Sequence, residues 1–252
     1  MGLDRLPVYQ IFSIAAFFVI WAIAATLASS ALLPGPGHVL AVLWEAIQNG
    51  ELITHLFVSL SRVAAAFILA MSIGVAVGIL MGRSDLANRF GDPWLVIFLN
   101  IPALVIIILA YVWFGLTEAA AIGAVALNKI PNVAVTVREG ARALDTQLDE
   151  MADVYRFSFW QKLRHVILPQ MQPYIAAAAR SGLSLIWKIV LVVEMLGRSN
   201  GIGFQLHLFF QLFDVASILA YSFSFTAIML LIELLIVQPY ERYATRWRLK
   251  QA

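Results

Sequence analysis

Apolar residues in this 252-residue chain gather into six long runs, at about residues 8–31, 58–81, 94–114, 119–137, 174–196 and 215–237. Each approaches the ~20 residues that a helix needs to cross a bilayer core of about 30 Å. The pattern predicts an all-α membrane protein of six spans, forming one transmembrane domain over residues 1–252 with no room for a separate soluble domain.

The breaks between runs carry their own signals. The first run ends at Pro34-Gly35-Pro36-Gly37. It is longer than the usual signal-peptide core, and a retained span is the reading favoured over a cleaved leader. Between His38 and Gln48, Leu40, Leu43, Trp44 and Ile47 recur at helical spacing. That fits a short amphipathic helix, either on the membrane surface or packed on the bundle. The second run holds Gly74, Gly78 and Gly82 at every fourth position. Such a face allows close helix approach, within one subunit or between two. A polar loop is expected over 83–93, a tight turn over 115–118 and a connector over 197–214. After Pro239, Tyr240, Tyr243 and Trp247 interleave with Arg242, Arg246, Arg248 and Lys250, as in a basic helix resting on an anionic membrane, or in an ordinary solvated terminus.

The longest polar interval, 138–173, predicts two short helices. Leu144, Leu148, Met151 and Tyr155 share a face of the first, at spacings of four, three and four. The second starts at Ser158, where Gln161 three residues on completes a capping-box pattern. Phe159, Leu163 and Val166 line its face, and Pro169 is expected to end it. The break falls near Arg156-Phe157. An apolar face flanked by acidic residues on one helix and basic ones on the other suits a groove on a partner; a helix lying on lipid is the alternative.

Composition agrees with the pattern. Hydrophobic residues make up 62% and charged residues 13%, against roughly 45–50% and about 25% in soluble domains. Mean hydropathy is +0.86. There is no cysteine, which excludes disulfide and thiolate chemistry. The four histidines show no metal-ligand spacing, and no G-x-x-x-x-G-K-[ST] phosphate loop is present. The chain therefore reads as neither an enzyme nor a metal or cofactor binder, and no nucleic-acid partner is expected. Twelve Lys and Arg residues lie on the side holding both termini, the 83–93 loop and the 138–173 interval; Arg198 alone lies opposite. By the positive-inside rule the side with twelve is cytoplasmic.

Glu150-Met151-Ala152, followed by Trp160-Gln161-Lys162-Leu163-Arg164-His165-Val166-Ile167-Leu168-Pro169, resembles the EAA loop of permease subunits in bacterial binding-protein-dependent ABC importers of type I. Leu33-Pro34, Trp113-Phe114-Gly115 and Glu194-Met195-Leu196-Gly197 with Gly201-Ile202-Gly203 are similar to the sulfonate/taurine/nitrate-type branch. The resemblance implies a multi-pass protein of the bacterial inner membrane that carries a small anionic solute. It implies a cytoplasmic ATPase dimer that binds the ATP and Mg, a second permease copy, and an external solute-binding protein. It places ATPase coupling on Glu150, Met151, Ala152, Tyr155, Arg156, Phe157, Phe159 and Leu163. Two residues depart from the family pattern. Met151 replaces an alanine, and Arg156 replaces a glycine. Glycine there permits a left-handed turn; arginine is expected to take another backbone geometry or to meet a partner carboxylate.

Ionisable residues within spans are costly and mark function. Lys129 is expected near the cytoplasmic end of its span, with Glu233 near the same end of the last. An ion pair of Lys129 or Arg180 with Glu233 is one reading. The other makes Lys188, Asn100, Arg180 and Ser184 the lining of an anion path. A secondary transporter or channel working without an ATPase is the alternative function. It would need a relay carboxylate near mid-membrane, whereas Glu118, Glu194 and Glu233 all stand toward span ends.

Overall fold

The structure, a computed structural model, describes residues 6–245, and no described residue lies in a strand. The helices are α1 (Leu6–Ala28), α2 (Pro36–Gln48), α3 (Glu51–Arg83), α4 (Asp85–Asn100), α5 (Ala103–Phe114), α6 (Glu118–Arg142), α7 (Thr146–Val154), α8 (Phe159–Lys162), α9 (Leu168–Gly197), α10 (Ile202–Gln211), α11 (Val215–Ile232) and α12 (Gln238–Thr245). Single π-helical turns, Leu163–Ile167 and Glu233–Val237, join α8 to α9 and α11 to α12. Among the described residues, four helices are long and apolar enough to cross a membrane: α3, α6, the continuous Phe159–Gly197 and the continuous Val215–Thr245. The pair α4–α5 makes a fifth crossing if counted as one, and α1 adds a further apolar helix of 23 residues.

Several boundaries differ from the sequence reading. The expected third span is broken, with α4 and α5 meeting at 96°. The cause is local: Pro102 pushes Ile101 out of the helical region, to φ −76° and ψ 124°. The expected 83–93 loop is mostly helix, because Ser84 caps α4 by accepting a hydrogen bond from the Ala87 N–H. The 197–214 connector contains α10. Pro169 ends nothing. The π turn before it makes the Leu168 N–H donate to the Leu163 carbonyl, five residues back. That register shift lets the helix run on through the proline. The tail beyond Thr245, with Arg246, Trp247, Arg248 and Lys250, lies outside the described residues.

α3, α6 and α9 form the centre of the bundle. Ala66 and Ala70 of α3, Ala124 and Val125 of α6, and Ile186 and Val190 of α9 are buried together. α11 closes this core with Tyr221 and Phe225; Phe225 packs edge-on to Trp187 at 5.8 Å. The glycine stripe of α3 serves contact within the chain. A Cβ on Gly74 would lie 2.6 Å from Val133, one on Gly78 would lie 2.7 Å from the Ala134 carbonyl, and one on Gly82 would lie 2.5 Å from Ala141. All three are on α6, so the two backbones touch at every turn.

α1 and α2 stand at the edge. Trp21 fixes α1 by donating Nε1–H to the Pro34 carbonyl at 3.0 Å and by packing on Phe223 at 5.8 Å. α2 combines both readings of its pattern: Val39 and Ala46 are buried in the bundle, while Leu40 and Trp44 stay exposed.

Replacing Gly78 by leucine is expected to destabilise the protein by at least about 1–3 kcal/mol, the usual cost of overpacking. Gly123→Ala, where a Cβ would meet nothing within 4 Å, should be neutral or mildly stabilising. Thermal unfolding in detergent compares the two.

Candidate functional site

Two polar assemblies stand at opposite ends of the bundle. The first is the strap formed by α7, α8 and the turn between them. Asp145 caps α7 by accepting from the Gln147 N–H at 2.8 Å. Ser158 and Gln161 make the expected capping box at α8: the Ser158 hydroxyl accepts from the Gln161 backbone N–H, and the Gln161 side-chain Oε1 accepts from the Ser158 backbone N–H. Between the helices, Arg156 sits at φ +53°. The Phe157 N–H donates to the Ala152 carbonyl at 2.9 Å and the Arg156 N–H to the Asp153 carbonyl at 3.0 Å. This is a Schellman ending. The backbone has kept the geometry that glycine favours, and arginine bears it.

The charges of the strap are largely used to hold it in place. Lys162 pairs with Asp153 at 2.8 Å and Asp149 at 3.3 Å, joining α8 to α7. Asp149 also pairs with Arg83 at the end of α3. Burial alone would raise the Asp149 pKa, but the hydrogen bonds and charges of Arg83 and Lys162 outweigh it and hold the carboxyl below its ordinary range. The tie is therefore complete at neutral pH and is lost only as pH falls below the carboxylate range. Ala152 is fully buried and seats α7 on the bundle. Facing outward are Val154, Tyr155, Phe159 and Trp160, at 79%, 72%, 71% and 74% exposure. Met151 is also exposed, as are Glu150 and Arg156, while Phe157 and Leu163 are half-buried. Glu150 has no side-chain partner among the described residues.

The second assembly centres on Arg62 of α3, which is buried. Its guanidinium holds Glu118 at the start of α6 through two hydrogen bonds, at 2.8 and 2.6 Å. It also donates to Glu194 of α9 at 2.8 Å and to the Asn200 carbonyl at 2.8 Å. Arg198 reaches Glu118 from the other side at 2.5 Å. The other Glu194 oxygen accepts from Ser59 and from the Gly203 N–H, both at 2.8 Å. The first turn of α10 is thus satisfied by side chains of α3 and α9. The Gly201 N–H donates to His55 Nδ1 at 3.0 Å and the Ile202 N–H to Ser59 at 2.8 Å. A carboxylate at a helix N-terminus is favourable in itself. The two glycines are obligatory: Gly201 has φ +105°, its Cβ would lie 2.4 Å from the Glu194 carboxyl, and one on Gly203 would lie 2.2 Å from the Leu191 carbonyl.

Residues 73–248 match the family described as binding-protein-dependent transport system inner membrane component. The chain belongs to this family. It is 33% identical over 194 residues to the aliphatic sulfonates transport permease protein SsuC of Bacillus subtilis, covering 76% of this chain and 70% of that one. It is 30% identical to the taurine transport system permease protein TauC of Escherichia coli (81% and 76% covered). It is also 30% identical to the bicarbonate transport system permease protein CmpB of Synechococcus elongatus (76% and 73% covered). The solved structure of an amino acid ABC transporter superposes with a TM-score of 0.64 at 20% identity, covering 80% of this chain and 97% of that one. One inward-facing form of the MetNI methionine ABC transporter gives 0.66 at 19%, with 77% and 97% covered. These two share the fold. As an ABC importer permease, the chain works with an ATPase and a solute-binding protein and is not itself an enzyme. A carrier that needs no ATPase is not the family it belongs to.

The remaining residues singled out in the permease sequence lie apart from both assemblies. Arg180 pairs with Glu233 at 2.9 Å and Glu241 at 2.8 Å. The Ser184 hydroxyl donates to the Ser181 carbonyl at 2.9 Å. Lys188 lies 5.5 Å from the Trp187 ring centroid and borders, with Ser184, Met229 and Glu233, a cavity of about 200 Å³ facing α11. Asn100 ends α4 and donates to the Val96 carbonyl at 2.7 Å. No described contact joins it to Lys188. Lys129 takes no part in the Glu233 pair. Lys129 stands near the middle of α6 (Glu118–Arg142) rather than near one end. Sequence reasoning missed the Arg62 assembly, whose partners are 56 to 138 residues apart. The one signal available was the Glu194…Gly201-Ile202-Gly203 spacing.

Two outcomes follow from this geometry. Arg156→Gly is expected to stabilise the protein by about 1 kcal/mol, since a side chain in the left-handed region costs about 1–2 kcal/mol. Chemical denaturation would register the gain as a higher midpoint. Arg62→Met leaves Glu194 buried and unpaired, and is expected to cost about 3–5 kcal/mol. A melt of that variant close to the native one would show that the cluster is not what joins these helices.

Proposed function

We propose that this permease passes a small anionic solute, of the sulfonate, taurine or bicarbonate kind, and that the α7–α8 strap is the seat of its ATPase. The observation that carries the reading is the outward patch of Val154, Tyr155, Phe159 and Trp160 on a strap whose charges are mostly engaged internally. Contiguous exposed aromatic residues are the usual anchors of a protein interface. Glu150, Met151 and Arg156 adjoin them, with Ala152, Phe157 and Leu163 beneath. The substrate class rests on the names of the related permeases. The excess of Lys and Arg at the strap end supports placing that end, and both termini, in the cytoplasm.

In this reading two permease copies share an ATPase dimer, which holds the ATP and Mg²⁺; the chain needs no cofactor of its own. Closure of the ATPase dimer moves the strap. Motion passes to α3 through the Arg83–Asp149 pair and to α9 through the unbroken helix from α8. The Arg62 cluster holds the far ends of α3, α6 and α9 together, so these helices tilt as a body. Access changes sides, and the external binding protein delivers solute to the opened path.

The double variant Phe159→Asp/Trp160→Asp tests the seat. Acidic residues are favourable in the first turn of a helix, and both side chains are exposed, so the fold is expected to persist. Loss of two anchors should weaken ATPase binding by about 2 kcal/mol or more. Co-purification with the ATPase and solute uptake should both fall sharply. Native levels of both would place the seat elsewhere.

A further inference from the structure

Lys188 stands at the middle of the depth that α9 spans. Arg180 and Arg198 are about 27 Å apart along this helix, close to the thickness of a bilayer core. Lys188 lies between them, about 12 Å from the first and about 15 Å from the second. Its side chain is exposed, and its ammonium has no hydrogen-bond or ion-pair partner among the described residues. It rests over the Trp187 ring, which Phe225 of α11 holds edge-on. Ser181 and Ser184 are exposed on the same side of α9. A charged stripe at this depth faces water or another chain, because facing lipid is costly.

The water is accounted for by the cavity of about 200 Å³ that Lys188 borders. Two contacts, Arg180 with Glu233 and Trp187 with Phe225, set α9 and α11 antiparallel with the cavity between them. From the Arg180–Glu233 level, Lys188 is about 12 Å along α9 and Thr226 about 10 Å along α11 in the same direction. The ammonium and the threonine therefore share one level, and both line the cavity. Thr226 is exposed, and its hydroxyl has no hydrogen-bond partner among the described residues. Because both side chains are exposed, the cavity is reached from the surface of the chain without any movement of its helices. At about 30 Å³ per water in the liquid, it has room for several waters or one small oxyanion. Glu233 borders the opposite end, where Arg180 engages its carboxylate.

We infer that Lys188 is the anion-recognising residue of the translocation path, with the Thr226 hydroxyl as its hydrogen-bonding neighbour across the furrow between α9 and α11. This rests on the anionic-solute reading above. A cation and a free hydroxyl facing one small cavity supply two donors and no counter-charge at mid-membrane. A sulfonate or carboxylate oxygen completes both. The Arg180–Glu233 pair closes the furrow on the strap side, so the anion is held at the Lys188 level.

The chain has no native cysteine, so Lys188→Cys and Thr226→Cys each report on one position. The test uses the whole transporter in liposomes, with ATPase and solute-binding protein, and labelled ethanesulfonate, taurine and bicarbonate as probes. Both cysteines are expected to react with a charged, membrane-impermeant thiol reagent added to both sides, and the accepted anion should slow that reaction several-fold. Lys188→Met is expected to lower uptake of the accepted anion roughly tenfold or more, the worth of one charge-assisted hydrogen bond. ATPase assembly and Tm should stay native, and Lys188→Arg should recover most of the uptake. Native uptake by Lys188→Met, or no labelling at either cysteine, would overturn the inference. Lost assembly or a lower Tm in Lys188→Met would also overturn it, making the lysine a structural partner of the second copy. If the wild-type transporter accumulates a neutral or cationic solute and none of the anions, the anionic reading itself fails, whereas labelling of the two cysteines reports on the furrow whatever the solute.

Discussion

The contact between Arg62 and Glu194 fixes more of this molecule than any other. A carboxylate with no exposed surface is costly inside a membrane protein unless it is paired with a cation and both its oxygens are hydrogen-bonded. Glu194 meets that condition with Arg62, Ser59 and the Gly203 N–H. The partners come from α3 and α10, so satisfying one carboxylate of α9 sets the relative positions of all three helices. Arg62 then recruits α6 through Glu118. The glycines at 201 and 203 are required because the backbone must approach that carboxylate closely. Charge, backbone and glycine placement form one constraint.

The two ends of the bundle are held by different physics. At the Arg62 end the Arg62–Glu194 pair is buried, so solvent and salt scarcely weaken it, and Arg62 links it to the half-exposed Glu118. At the strap end, Arg83–Asp149 and Lys162–Asp153 are partly exposed. Pairs of that kind contribute about 1 kcal/mol or less each. An element tied by weak surface pairs and a single buried alanine can shift, whereas one tied by a buried network cannot. A weakly tied strap and a firmly tied far end are what the lever proposed above requires. The π turn at Leu163–Ile167 keeps α8 continuous with α9, so the strap is one end of a core helix rather than a loop hung beneath it.

Sequence pattern made the helices legible because apolar run length and capping chemistry are local. The capping box at Ser158, the break at Arg156-Phe157 and the helical character of 38–48 all depend on neighbours within a few residues. What stayed hidden depends on distant ones. Nothing near Arg62 announces Glu194, and the positions between them do not say which faces meet. The bend before Pro102 was locally encoded, yet the apolar run continues through it and outweighs it in any hydropathy window. Pro169 erred the other way. A proline after a short helix reads as a stop, and only the change of hydrogen-bond register upstream lets the helix pass. For Lys129, position along the run was legible, since it stands midway both in the expected 119–137 span and in α6; its lack of a partner among the described residues depends on distant side chains and was not.

Arg156 separates what a residue prefers from what a fold imposes. Left-handed backbone at this position suits glycine, and arginine there carries a steric cost of about 1–2 kcal/mol. The turn forms nonetheless, because the Asp153 and Ala152 carbonyls accept from the Arg156 and Phe157 N–H groups and Ala152 is fully buried. To relieve the strain the chain would have to give up both hydrogen bonds, lift Ala152 out of its pocket, and detach α8 from the Asp149 and Asp153 carboxylates. Those losses together exceed the strain. The geometry of the strap is therefore set by its anchorage to α3 and α9, and the side chain at the turn is left free to vary, pointing outward beside the aromatic patch.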